Sequence, residues 1–202
     1  MQIVTPIIAG NYYHIYNKGN NGENIFFDND NYYHFLKLYA KYINPIADTY
    51  AWCLLKNHFH IAVRIKTTEE IFENELSYTT VEKPKVIDAS KQFSHFLNAY
   101  TQAINKKHKR TGKIFQSKFK RKLINSEEYL KNLIYYIHNN PVHHGFCKSM
   151  NLYPWSSYET IISTKNTNLK RNDVIDMFGN ISNFIEFHNS NISSIVFNQE
   201  FL

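Results

Sequence analysis

The period of the apolar positions changes several times along the chain, and each change marks an element. Tyr12-Tyr13-His14-Ile15-Tyr16 is rich in β-forming residues and predicts a strand. Asn17 to Gly22 reads as a turn or loop in which Gly and Asn supply positive φ. Tyr32, Phe35, Leu36, Tyr39 and Ile43 then recur at helical spacing, with Asp28 or Asp30 as cap and Pro45 as stop. Tyr50 to Leu55 predicts a second strand. Lys56-Asn57 is a short connection to a third, so these two strands should form a hairpin. Residues 66–87 carry mixed charge and are expected to be a loop with a turn of helix. Phe93, Phe96, Leu97, Tyr100 and Ile104 predict a helix of about five turns from Asp88. A basic exit from Lys106 to Gly112 follows, then a β-like run from Ile114 to Ile124. Ser126 caps a helix through Leu130, Leu133, Ile134 and Ile137, and Pro141 is expected to end it, because a residue before proline avoids the helical region. A turn at Gly145 and the Tyr153–Tyr158 segment lead to an Asn- and Ser-rich tail, amphipathic near Val174–Phe178 and Phe184–Phe187.

The order β-α-β-β-α-β-α predicts an α+β fold, a ferredoxin-like antiparallel sheet with both crossover helices on one face and a small helical C-terminal tail. The first and third strands should be central. Residues 1–160 are expected to form one domain, and 161–202 an appendage with no assigned role.

The third strand carries the first sign of chemistry. Phe59, Ile61, Val63 and Ile65 alternate with the rest, so His58 and His60 point together to the other face. Two imidazoles held this way can take adjacent positions on one metal ion, although a third ligand must come from elsewhere. They should look out from the open face of the sheet, where a last helix or a ligand could meet them, and stay clear of the core. The helix from Ser126 offers two pairs four residues apart, Tyr136 with Asn140 and Tyr135 with Asn139, and spacing does not choose between them. Tyrosine can attack phosphorus if its high pKa is compensated. An Asn carbonyl is a neutral oxygen ligand.

Composition adds a partner class. The 202 residues carry a net charge of +6 and 16% aromatic residues. From Ala89 to Ser126 there is no acid but there are ten Lys/Arg, whereas the rest of the chain has 13 basic against 17 acidic residues, a balance of −4. Lys106, Lys107, Lys109, Arg110, Lys113, Lys118, Lys120, Arg121 and Lys122 are thus candidate contacts to a nucleic-acid backbone, with Phe115 and Phe119 interleaved and exposed rings expected to stack on bases. Cys53 and Cys147 are isolated, so no disulfide framework or zinc site is indicated, and Cys53 should be a buried thiol. No signal peptide or membrane-spanning run is evident, and a cytoplasmic location is expected.

Five blocks in order, Tyr12–Gly19 (YYHIYNKG), Asn57–His60 (NHFH), Arg110–Lys120 (RTGKIFQSKFK), Tyr136–Gly145 (YIHNNPVHHG) and Tyr153–Tyr158 (YPWSSY), resemble the single-tyrosine HUH transposases, in particular the REP-associated branch of the IS200-like family, over about residues 10–160. The resemblance implies a metal-assisted enzyme that cuts and rejoins single-stranded hairpin DNA through a 5′-phosphotyrosine. By position it makes His58 and His60 the histidine pair, Tyr136 the nucleophile and Asn140 the third ligand of Mg²⁺ or Mn²⁺. His143-His144 stand where the family commonly has an arginine. The resemblance leaves open the DNA site and a monomer or homodimer. Two other readings share parts of the pattern: a relaxase-like or replication-initiator nickase, which a helicase domain would favour, and a non-catalytic ferredoxin-like RNA-binding module, which would leave the histidines unexplained.

Overall fold

The structure, a computed structural model, describes residues 6–75, 88–116 and 118–190. Its centre is a four-stranded antiparallel sheet in the order β2-β3-β1-β4, formed by β1 (Tyr12–Lys18), β2 (Ala47–Leu55), β3 (His58–Ile65) and β4 (Lys120–Ile124). The histidine strand β3 and β1 are central, as the ferredoxin-like order requires. The β2–β3 hairpin turns on Lys56-Asn57, and β2 bulges at Tyr50, which has no partner between the Thr49↔Val63 and Ala51↔Ala62 pairs.

Two helices cover one face: α1 (Asn29–Tyr42) and α3 (Ala89–Lys107), which follows the short α2 (Thr68–Glu75). Asp28 caps α1 by accepting the Asn31 N–H at 3.0 Å, and Asp88 caps α3 by accepting that of Lys91 at 3.1 Å. Phe35, Phe96 and Tyr100 pack there against Phe59, Ile61 and Ile15. The expected turn of helix after residue 66 is the two-turn α2, and residues 76–87 lie outside the described set.

The other face is met by a helix, one of the two occupants the sequence allowed. It is crossed by α4 (Glu127–His143), capped by Ser126, with Leu133, Ile134 and Ile137 against Ala51, Cys53 and Ala62. Cys53 is fully buried there. Pro141 does not end α4 but lies inside it. The N–H that proline lacks would serve Ile137, and in the last turn only that one bond is at stake. The end is closed by His144 N–H to Asn140 O at 3.0 Å and Phe146 N–H to Pro141 O at 2.8 Å, with Gly145 at φ 71°.

After α5 (Tyr158–Ile162), α6 (Arg171–Met177) and α7 (Ile181–Ser190) place Val174, Phe178 and Phe184 in the core that α4 shares. The described part of the expected appendage is therefore continuous with the layer that carries α4. The Tyr153–Tyr158 segment seals the outer edge of β2: Leu54 N–H reaches Trp155 O at 2.8 Å and Ser157 N–H reaches Trp52 O at 2.9 Å. Among the described residues of the β-like run from Ile114, the strand begins at Lys120, while Phe115 forms a single bridge to Gly19.

One glycine is fixed by close approach. A Cβ on Gly19 would fall 1.8 Å from the Glu23 carbonyl oxygen, and the Gly19 N–H bonds to Asn57 O at 2.7 Å. The end of β1 is thereby tied to the connection just before His58.

Candidate active site

Alternation along the central strands gathers the site. On β3, His58 and His60 face α4; on β1, the β1–β3 register sets Tyr16 opposite His60 and His14 opposite Ala62, so His14 and Tyr16 share that face. A helix turns about 100° per residue, so adjacent tyrosines on α4 diverge. The Tyr136 ring stands edge-on to His60, centroids 5.3 Å apart. The Tyr135 ring turns the other way, 5.7 Å from His188 and 6.2 Å from Phe187 on α7. Asn140, one turn beyond Tyr136, brings its Oδ1 to 3.2 Å from His58 Nε2.

The site is buried more deeply than the pattern implied. His60 is 3% exposed and Tyr136 also 3%. The expectation that both histidines stay clear of the core holds only for the half-buried His58. The reason is α4, which lies over the face a bare four-stranded sheet would leave open. Burial also sets the charge state. It lowers the His58 pKa to about 4, with the hydrogen bond to Asn140 acting in the opposite direction, and it lowers that of His60 well below the usual value. Both rings are neutral near pH 7. The Tyr136 phenol is pushed up by burial and pulled back by the Asn140 carboxamide, so it rests protonated.

Neutral rings make the donor set specific. His58 Nδ1 lies 2.7 Å from Asn57 Oδ1, while its Nε2 faces Asn140 Oδ1. A neutral imidazole has one N–H and can donate to only one of these oxygens. With the proton on the shorter contact, His58 Nε2 and Asn140 Oδ1 present lone pairs to each other. His58, His60 and Asn140 would suit a divalent cation, two imidazoles and one carbonyl oxygen being a fitting neutral set that would replace that repulsion with coordination. Among the described residues no group of three or more His, Cys, Asp or Glu could hold a metal.

A cleft of about 500 Å³ opens in front of the histidines, walled by Tyr16, Asn57, Gln116, Lys118, Lys120 and His144. His144 packs edge-on to His58 at 5.1 Å.

No family model matches the chain. A curated Haemophilus influenzae protein named a REP-associated tyrosine transposase is 27% identical over 114 residues, which make up 55% of this chain and 58% of that protein. A solved structure of a REP-associated tyrosine transposase bound to a REP hairpin matches with a TM-score of 0.60 at 17% identity, over 81% of this chain and 86% of that one. At that identity the structural likeness speaks for the fold. The sequence likeness is to a protein named a REP-associated tyrosine transposase, and the structural likeness is to the fold of another.

The basic block divides by position. Lys118 and Lys120 stand at the cleft, and Lys120 Nζ lies 5.8 Å from the Tyr16 ring centroid. Lys113 lines a neighbouring groove under α3, which also includes Lys118. Lys106 and Lys109 are exposed at the end of α3. Lys107 pairs with Asp28 and Asp30, each at 3.0 Å, and Arg110 with Glu23 at 3.2 Å. Arg121 donates to Ser90 at 2.9 Å and covers Phe119, and Lys122 lies over Tyr129. Phe115 and Phe119 are 7% and 5% exposed, so these rings belong to the core and cannot stack on bases. Phe119 packs against Phe93 and Phe115 against Tyr100, both on α3. Among the described residues the more exposed rings include Phe27, Tyr33 and Phe146. No helix among the described residues is long and apolar enough to cross a membrane.

Two contributors had weak signals in the sequence. Asn57 belongs to the NHFH block, yet its role in holding His58 Nδ1 needs the hairpin geometry. His14 shares the β1 face with Tyr16, but only the β1–β3 register brings it to His60.

Proposed function

We propose that this chain is a single-tyrosine HUH strand transferase that cleaves and rejoins single-stranded hairpin DNA. The observation that carries the proposal is that one face of α4 sets Tyr136 against His60 and Asn140 against His58. Tyr136 Oη attacks the scissile phosphorus and forms an Oη–P bond as the P–O3′ bond breaks. The products are a 5′-phosphotyrosine and a free 3′-hydroxyl; the phenolic proton leaves Oη and the departing 3′-oxygen gains one. One phosphodiester is exchanged for another, so the strand can be rejoined without a nucleotide energy source. His58, His60 and Asn140 would hold one Mg²⁺ or Mn²⁺, which when bound polarises and orients the phosphate. Lys118 and Lys120 neutralise the backbone entering the cleft.

A non-catalytic module that stacks RNA bases on its sheet needs that sheet exposed. Here α4 covers it, which favours the catalytic reading. The test is incubation with a single-stranded hairpin oligonucleotide labelled at its 3′ end, plus Mn²⁺. The label should become protein-linked, and the other fragment should end in a 3′-hydroxyl that a polymerase extends. Cleavage leaving a free 5′-phosphate, or none at all, would reject the proposal.

A further inference from the structure

We propose that His14 is a positioning residue for the metal-binding face: its Nε2 accepts the Nδ1–H of His60 and so keeps the far nitrogen of His60 available to a divalent cation. The inference rests on the reading of the site given above. His14 is completely buried, and its Nε2 lies 2.8 Å from His60 Nδ1. Two ring nitrogens at that distance share one proton. A histidine that coordinates a cation does so through a lone pair on a neutral ring. Since His60 Nδ1 is engaged by His14, coordination falls to Nε2, and the proton of His60 belongs on Nδ1. A ligating histidine is commonly fixed in this way by an acceptor on its second nitrogen. In this chain the acceptor is another imidazole.

The arrangement has a visible cost. His14 then carries its own proton on Nδ1, and that buried atom has no hydrogen-bond partner among the described residues. An unsatisfied buried donor costs about 1–3 kcal/mol. Packing alone would not call for it, because a phenylalanine at 14 could stack as His14 does, 4.6 Å from Tyr16 and 5.0 Å from His60, both at 25°. A polar ring with one nitrogen used and the other stranded points to a task for the nitrogen that is used. The diagonal between β1 and β3 explains the reach: His14 pairs with Ala62, and His60 lies two residues away on the same face.

The test is Mn²⁺ calorimetry on the full chain, with thermal unfolding of each metal-free variant. His14→Phe keeps the stacked ring and removes the acceptor; it should fold and bind Mn²⁺ about 10- to 100-fold more weakly. His14→Gln, whose carboxamide oxygen can accept the Nδ1–H, should recover most of that loss. A folded His14→Phe with wild-type affinity overturns the proposal. Should His14→Phe not fold, ¹⁵N spectra of the Mg²⁺-loaded wild type decide: a protonated His60 Nδ1 supports the proposal, and a protonated Nε2 overturns it. If His58→Ala abolishes Mn²⁺ binding while His14→Phe does not, only this inference falls. If the wild type binds no Mn²⁺, the metal-site reading falls and takes this inference with it.

Discussion

His58 Nε2 and Asn140 Oδ1 stand 3.2 Å apart across 82 residues of sequence, and each presents a lone pair to the other when His58 donates to Asn57. If a cation belongs between them, Asn140→Ala should weaken Mn²⁺ binding at least tenfold, whereas Asn140→Asp, which adds a negative oxygen, should strengthen it. Calorimetry on both variants checks this. Equal affinities across wild type, Ala and Asp would remove Asn140 from the ligand set.

The basic residues should not contribute equally to DNA binding. Lys118 and Lys120 at the cleft should carry more of the salt dependence than Lys107 and Arg110, which do not line it. Reversing the two cleft lysines should reduce the slope of log affinity against log salt by about 1–2, and neutralising Lys107 and Arg110 should change it by less. Fluorescence anisotropy with a single-stranded hairpin at four salt concentrations measures both slopes; the opposite ranking would move the DNA track away from the cleft.

Much of this arrangement was legible in the chain. Alternation in β3 showed that His58 and His60 share a face, and the four-residue spacing paired Tyr136 with Asn140 and Tyr135 with Asn139, between which only the family resemblance chose. The central place of β3 followed from the element order. What escaped depended on contacts between distant segments. The burial of His60 arises from α4 lying over the sheet, which no local pattern encodes. His14 needed the cross-strand register. Phe115 and Phe119 look like base-stacking rings between lysines, but the fold turns them under α3. Pro141 ends a helix by local rule, yet in a final turn it deletes a single hydrogen bond, and α4 continues to His143.

A hydrogen-bonded chain behind α4 predicts a pH response. His188 Nδ1 lies 2.8 Å from the Phe184 carbonyl, to which it must donate; His188 Nε2 therefore accepts from His138 Nδ1 at 3.0 Å, and His138 Nε2 accepts from Ser157 Oγ at 2.8 Å. Burial brings the His188 pKa down to about 4 from the usual 6.5. Between those values the unfolded chain binds a proton that the folded chain does not, so stability is full above pH 6.5 and falls as pH drops toward 4. At about 1.36 kcal/mol per pH unit, His188 accounts for a loss of about 3 kcal/mol. Urea midpoints at pH 7.5 and 5 should show the fall, and His188→Gln should reduce it. An equal pH dependence in the variant would contradict the assignment.

Gly19 gives a prediction for the frame around the site. The Cβ of Gly19→Ala would meet the Glu23 carbonyl and push apart the turn that bonds to Asn57. Forcing atoms into a packed site costs about 1–3 kcal/mol. Urea unfolding should show a loss of that size, with Mn²⁺ affinity falling as Asn57 and His58 shift. Unchanged stability would mean the turn relaxes freely.

The central claim is that Tyr136, and not its neighbour, is the nucleophile. It is tested most directly by trapping the covalent adduct with a labelled single-stranded hairpin and Mn²⁺ on a denaturing gel. Tyr136→Phe removes only the hydroxyl, so the adduct should vanish while binding to the oligonucleotide persists. Tyr135→Phe, whose ring faces α7, should leave the adduct intact. An adduct that survives in Tyr136→Phe would contradict the account.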